Sequence, residues 1–203
     1  MSSAAYGGVR IDSVFGAAIE PFLGELAQLR IEVFREYPYL YAGSVEYEKK
    51  YLQGYARSPG SVVVLARDGE RVVGASTGLP LRDHAEELAP ALRAAGYDPE
   101  RIYYFGESVL KRSYRGRRIG HAFFDRREAA AREQGFSLVT FCAVQRPDDH
   151  PRKPEGYFPH DAFWRKRGYT PRPEVTATMR WQDLDEPYET PKRMLFWVKE
   201  LAQ

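Results

Sequence analysis

IYYFGESVLKRSYRGRRIGHAFFDRREAAAREQG, residues 102–135, runs through three kinds of segment in immediate succession. Ile102, Tyr103, Tyr104, Phe105, Val109 and Leu110 are aromatic or branched and predict a buried strand. Arg115, Gly116, Arg117, Arg118, Ile119 and Gly120 then turn the chain into a helix, whose apolar positions Ile119, Ala122, Phe123 and Ala130 recur at helical spacing. A loop that opens a helix gathers unpaired backbone N–H groups and the positive end of the helix dipole. With arginines around it, the stretch reads as a seat for phosphate. The competing reading is a solvated arginine cluster at an ordinary turn, but a buried-looking strand feeding straight into the loop favours the first.

Upstream, residues 83–95 are helical by composition, with Leu88, Leu92 and Ala95 spaced for one face and Gly96 as the stop. Residues 61–66 and 72–76 are β-rich and joined through Asp68-Gly69, which predicts an antiparallel hairpin. Before them come two helices, 21–35 and 44–56, the second opened by Ser44 as N-cap with Glu46 and Glu48 in its first turn. Pro38 stops the first helix inside a segment carrying Tyr37, Tyr39 and Tyr41. Residues 9–14 are a candidate first strand, and residues 1–8, small and polar, are expected to be a flexible N-terminus. Downstream, residues 136–144 form another buried-strand candidate. Residues 145–160, with four prolines and with His150 and His160, cannot be regular structure, and a long ordered loop is often functional. A short helix over 161–167 ends at Gly168, and residues 174–181 and 193–199 read as closing strands. The order is β-α-α-β-β-(α)-β-α-β-α-β-β.

Composition bounds the class. The 203 residues, 43% of them hydrophobic, suit one sizeable α/β domain, here 9–203. A net charge of +2 is too balanced for a dedicated nucleic-acid binder. The single cysteine rules out an intramolecular disulfide framework, and with four histidines it shows no ligand spacing, so no metal is expected. No apolar run approaches the roughly 20 residues that span a bilayer, and the N-terminus lacks the apolar stretch of a signal peptide. A reducing cytoplasm is the expected location.

The basic loop resembles the acyl-CoA-binding core of the GNAT superfamily of N-acyltransferases, which reads Gln/Arg-x-x-Gly-x-Gly/Ala. Arg115 takes the first position and Gly120 the last, with Arg118 where glycine is usual; a literal match, Arg117-x-x-Gly120-x-Ala122, lies two residues later. The string AFWRKRGY, residues 162–169, is similar to the second GNAT signature, with Trp164 where tyrosine is common. The element order agrees with the GNAT arrangement, a central mixed twisted sheet with helices on both faces. The resemblance covers nearly the whole chain and implies acetyl-CoA as co-substrate and a primary amine of a small molecule or peptide as acceptor.

It also implies roles. The phosphates would sit on Arg115, Gly116, Arg117, Arg118, Ile119, Gly120 and His121, and the pantetheine arm along the backbone of Val109 and Leu110. The Leu110 N–H would face the thioester carbonyl. Glu107, a carboxylate in an apolar strand, is a candidate general base, unless it pairs with a nearby arginine or caps a turn. An indole N–H is no proton source near neutral pH, so Tyr157, His150 and His160 stand in for Trp164 as general acid, and Trp164 is left to the substrate site. Tyr37, Tyr39 and Tyr41 would wall the acceptor site, or pack in the core. Cys142 reads as a small core residue. Two other classes stay open: an acyl-CoA sensor without efficient transfer, and a nucleic-acid surface on the arginine cluster, which Asp125, Glu128 and Glu133 oppose. Residues 194–198 would support a homodimer if they form a sheet edge.

Overall fold

The computed structural model describes residues 6–83 and 88–202. Seven strands form one sheet among these residues, in the order β1-β2-β3-β4-β5-β7-β6. They are β1 Arg10–Phe15, β2 Val62–Asp68, β3 Arg71–Pro80, β4 Ile102–Leu110, β5 Leu138–Val144, β6 Thr170–Trp181 and β7 Thr190–Glu200. The helices α1 Leu23–Phe34, α2 Val45–Arg57, α3 Ala89–Ala94, α4 Ile119–Glu133 and α5 Asp161–Lys166 fall between them in the expected order. All neighbouring strands are antiparallel except β4 and β5, so the sheet is mixed.

Each face of the sheet has its own core. On one face α1 and α2 bring Leu26, Leu29, Leu52 and Tyr55 against Val63, Leu65 and Ala75. On the other, Phe123, Phe124 and Ala131 of α4 pack on Val62, Val64 and Phe105. Covered on both sides, residues 62–66 are all buried, which is why the strand reads as a continuous apolar run instead of alternating. Ser44 caps α2 as expected, its hydroxyl accepting from the Tyr47 N–H at 3.3 Å.

Four expectations need correction. Of the helix expected over 83–95, residues 84–87 lie outside the described residues, Asp83 ends a 3-10 turn, and the α-helix runs over Ala89–Ala94, with Pro90 tolerated in its first turn. Of the N-terminal residues expected to be flexible, 1–5 lie outside the described residues, whereas Tyr6 is buried in the α4-side core next to Val9. Strand β6 begins at Thr170, four residues early, and carries Pro171 and Pro173 because it is an edge strand with one side unpaired. Residues 194–198 are not an edge: β7 is held between β5 and β6, so the ground for a homodimer through them is gone.

The decisive irregularity lies in β4. Phe105 pairs with Gly78 and Ser108 with Ser76, so Gly106 and Glu107 together oppose the single residue Thr77. This bulge reverses the alternation of side chains. Tyr103 and Phe105 face α4, and plain alternation would send Glu107 after them; instead Glu107 faces α1 and α2. Beyond Tyr104 the parallel partner is lost as well, for β4 pairs with β5 only over residues 102–104 and 138–140. A gap opens between the C-terminal halves of the two strands.

Gly106 is required at the bulge. A Cβ there would lie 2.0 Å from Tyr55 Oη and 2.5 Å from Thr77 Oγ1. Gly106→Ala is expected to destabilise the fold by about 1–3 kcal/mol, the range for overpacking a filled core. A urea midpoint equal to that of the parent chain would show that the bulge has room to give.

Candidate active site

The gap is bounded on one side by the end of β4. Lys111 N–H donates to Val73 O at 3.0 Å, and by antiparallel alternation Val109 also turns its backbone groups to β3. Leu110 therefore turns its N–H and C=O away from β3, into the gap. Its carbonyl accepts from Arg115 Nε at 3.1 Å. Of the two residues expected to offer backbone to a bound arm, only Leu110 is so placed; Val109 has its side chain in the core and its backbone on Ala75.

From Leu110 the chain makes a short 3-10 turn, Arg112–Tyr114, and enters α4 through a loop with two left-handed residues, Gly116 at φ +80° and Arg118 at φ +64°. A left-handed residue other than glycine costs about 1–2 kcal/mol, which explains why glycine suits the Arg118 position. Gly120 is already helical, which agrees with the motif register that starts at Arg115. The amides of Ile119 and Gly120 open α4 and have no intrahelical acceptor. Around them Arg115 pairs with Glu36 at 2.9 Å, Arg117 lies over the Tyr114 ring and donates to Ser113 O, and His121 Nδ1 lies 3.3 Å from Arg167. Arg118 is exposed, with no ion-pair or hydrogen-bond partner among the described residues.

On the α1 and α2 face of the gap sits a buried ionic cluster. Glu107 Oε2 is 2.6 Å from Arg30 Nη1, and the same guanidinium is paired through Nε with Glu48. Arg30 also lies over the Tyr51 ring at 4.4 Å, and the Tyr51 hydroxyl reaches Glu107 at 3.5 Å and Tyr55 at 3.0 Å. Burial alone would lower the Arg30 pKa; Glu107, Tyr51 and Glu48 outweigh it and raise the value well above the ordinary one. Glu107 is thus ion-paired and buried. Its N–H donates to Thr77 Oγ1 at 3.2 Å, and its carbonyl accepts from Arg127 Nη1 at 3.2 Å. Arg127, buried in α4, donates as well to Thr77 O, Phe123 O and Ser108 Oγ, so one guanidinium satisfies the polar groups that the bulge exposes. Burial pulls its pKa down to about 10, which leaves it charged at neutral pH.

The tyrosine segment and the proline-rich loop meet at the same end of the sheet. Tyr37 packs edge-on against Tyr157 with ring centroids 4.7 Å apart, and His150 lies 5.7 Å from Tyr37. Tyr39 stacks on Trp181 and packs at a tilt against Phe34, and Tyr41 pairs its backbone with Asp183. Burial raises the pKa of Tyr39 and of Tyr157, so both stay protonated at neutral pH. His160 is exposed and packs on Trp164 at 5.8 Å; desolvation first, and Arg115 second, lower its pKa. Cys142 is buried beside the Tyr104 hydroxyl, and burial pushes its thiol up to about 11, far from a nucleophile.

Trp164 is not brought to the tyrosine wall. It lies on the α4 face, 5.0 Å from both Phe141 and Trp197, as part of an aromatic core. Sequence reasoning in turn gave no site role to Arg30, Glu48, Arg146 and Asp183, and it counted Arg127 in the arginine surface, whereas Arg127 is buried. A signal existed for Arg30, Glu48 and Arg127: each interrupts an apolar helical stripe, Arg30 after Leu26, Glu48 before Leu52, and Arg127 between Phe123 and Ala131. A charge inside such a stripe needs a buried partner.

Comparison with known proteins agrees with this geometry. Residues 26–154 match the family described as Acetyltransferase (GNAT) family. No curated protein matches the sequence significantly. Among solved structures, a ribosomal-protein-alanine N-acetyltransferase from Brucella melitensis superposes with a TM-score of 0.60 at 16% identity, over 95% of this chain and 99% of that one. An N-acetyltransferase from Staphylococcus aureus Mu50 gives 0.61 at 12% identity, over 96% and 99% of the two chains. A putative acetyltransferase from Salmonella typhimurium, solved with its cofactor acetyl-CoA, gives 0.57 at 10% identity, over 96% and 95%. At such identities the structures speak for the fold, while the family match extends over well more than half of the chain and includes the strand, the basic loop and α4. The chain belongs to the acetyltransferase (GNAT) family and is an acyl-CoA-dependent transferase.

Proposed function

We propose that this protein moves the acetyl group of acetyl-CoA onto a primary amine of a small molecule or peptide by direct attack, in the gap between β4 and β5. The observation that carries the reading is the Leu110 amide, turned away from β3 into that gap, shortly before a left-handed basic loop at the start of a 15-residue helix. The loop fits the co-substrate: a Cβ at Gly116 would meet nothing within 4 Å, and the exposed Arg118 is the N-cap residue of α4. Acetyl-CoA, when bound, supplies the acetyl group as a thioester.

The chain's own groups divide the work. The amides of Ile119 and Gly120, with Arg118, hold phosphate, while Arg115 braces the loop through Glu36 and Leu110 O. The Leu110 N–H stabilises charge that develops on the carbonyl oxygen, a contribution of about 10²- to 10³-fold in rate for one preorganised donor. Glu107 meets the incoming ammonium and takes its proton, directly or through water. Its sharing of Arg30 with Glu48 leaves two carboxylates against one guanidinium, so Glu107 is only partly neutralised. Tyr157 keeps its proton at neutral pH and serves as the acid, with His150 and His160 as substitutes. Tyr37, Tyr39 and Tyr41 face the acceptor.

Calorimetric titration with acetyl-CoA is expected to show saturable binding that weakens about tenfold or more in Arg115→Ala/Arg118→Ala; a folded protein that binds none of it would sink the reading. Arg118→Gly separates backbone from side chain. It is expected to keep the fold, with stability within about 1 kcal/mol of the parent because relief of left-handed strain offsets added chain entropy, and to bind acetyl-CoA more weakly. Equal affinity would assign the phosphate to the amides alone. Glu107→Gln is expected to slow thiol release to an amine by about 10²- to 10⁴-fold, the usual weight of general base catalysis, with acetyl-CoA affinity unchanged. A rate within threefold of the parent would leave Glu107 as an ion-pair partner only.

A further inference from the structure

The wall formed by residues 37–41 hangs on α1 through the Tyr41 N–H, which donates to Phe34 O at 2.8 Å, and it is also held from the far edge of the sheet. Arg146, the second residue after β5, reaches across with a buried side chain and donates from Nε to Pro38 O at 2.7 Å and from Nη2 to Tyr39 O at 2.8 Å. The same guanidinium forks onto Asp183, Nη1 to Oδ2 at 2.7 Å and Nη2 to Oδ1 at 2.9 Å. Asp183 lies in the connection between β6 and β7. Trp181 Nε1 donates to both Asp183 Oδ1 at 2.9 Å and Tyr39 O at 3.1 Å. Backbone bonds continue the seam, Ala42 N–H to Gln182 O at 2.9 Å and Leu184 N–H to Leu40 O at 2.7 Å, with Leu40 buried at φ +55°. Lys192, buried itself, lies 3.4 Å from Asp183 and 2.7 Å from Glu186, so the network is charge-paired throughout.

We propose that Arg146 is a positioning residue for the acceptor: through Asp183 it makes the tyrosine segment, the proline-rich loop and the β6–β7 connection one rigid rim, so that acceptor fit is set from the far edge of the sheet. Three sequence-distant loops share a single guanidinium whose planar fork matches four acceptors at once. Lysine carries the same charge and cannot reproduce that geometry. The Arg146 contacts run to Pro38, Tyr39 and Asp183 and include no residue of the basic loop, so their loosening is expected to weaken acceptor binding more than co-substrate binding. The inference rests on the reading that the tyrosine side receives the amine.

The test uses the full chain carrying Arg146→Lys, Arg146→Gln or Asp183→Asn. Amide hydrogen exchange, acetyl-CoA calorimetry and thiol release with benzylamine, spermidine and a free-amino-terminus tripeptide are measured on each folded variant. The expected result is exchange at the Ala42 and Leu184 amides at least tenfold faster with β2 amides unchanged, acetyl-CoA affinity within twofold, and acceptor KM at least tenfold higher with kcat within threefold. Arg146→Lys should recover less than half of the logarithmic loss in Arg146→Gln, and Arg146→Lys/Asp183→Asn should be no worse than the more impaired single variant. Unchanged exchange at Ala42 and Leu184, or KM and acetyl-CoA affinity changing together, would overturn the proposal. A variant that does not fold shifts the decision to Arg146→Lys, the mildest change. A parent chain that binds acetyl-CoA and exchanges as expected on mutation, yet releases no thiol with any of the three amines, would remove the acceptor role and leave only the clamp.

Discussion

One extra residue in β4 organises the molecule. With Gly106 and Glu107 both set against Thr77, the strand loses its regular alternation just where it also loses β5, and two consequences follow from the same local fault. Glu107 moves from the α4 face to the α1 face, where Arg30 waits, and the Leu110 amide is left pointing into an open gap. A bulge exposes carbonyls that a continuous ladder would pair. Arg127 supplies the donors for Thr77 O and Glu107 O from inside the opposite core, and its charge is offset by the faces of Phe105 at 4.3 Å and Phe124 at 4.7 Å. The cleft therefore depends on a buried cation that never enters it.

Buried charge on this scale is weak evidence of stability, since removing two ions from water offsets much of their attraction. Its use here is geometric. Arg30 holds Glu48 and Glu107 from two different elements, and Arg127 ties α4 to β3 and β4. Each cation fixes the relative position of parts that apolar packing alone would let slide. The aromatic core on the α4 face does the complementary work: Trp164, Phe141, Trp197 and Tyr169 interlock α5 with β5 and β7 and keep the far side of the gap stiff. Trp164 thus serves as a wedge in that core, in a place where the family often has a tyrosine.

The two ends of the gap are built on different principles. At the basic loop the backbone does the work, with left-handed turns and helix amides presenting N–H groups, and the arginines are mostly braced by Glu36 and by carbonyls. At the tyrosine end side chains do it, and the wall is secured to β6 and β7 by Arg146, Asp183 and Trp181. The two ends still touch through Glu36, whose carboxylate pairs with Arg112 and Arg115 while its carbonyl accepts from the Tyr39 and Leu40 amides.

Sequence alone determined most of the elements, their order and the basic loop that opens α4, because these rest on local physics: apolar periodicity, the Ser44 cap, the Asp68-Gly69 turn, and glycine or arginine spacing at a helix start. It also carried the family. It could not say that Glu107 would change faces, since a bulge arises from the pairing of two strands and leaves no mark on periodicity. Nor could it say that Val109 turns its backbone inward while Leu110 turns outward, that β7 lies inside the sheet and β6 at its edge, or that Arg146 finds Pro38 and Asp183 more than thirty residues away on either side. Those facts depend on which strands become neighbours, and hydrogen-bond register is settled only when the whole sheet closes on its two cores.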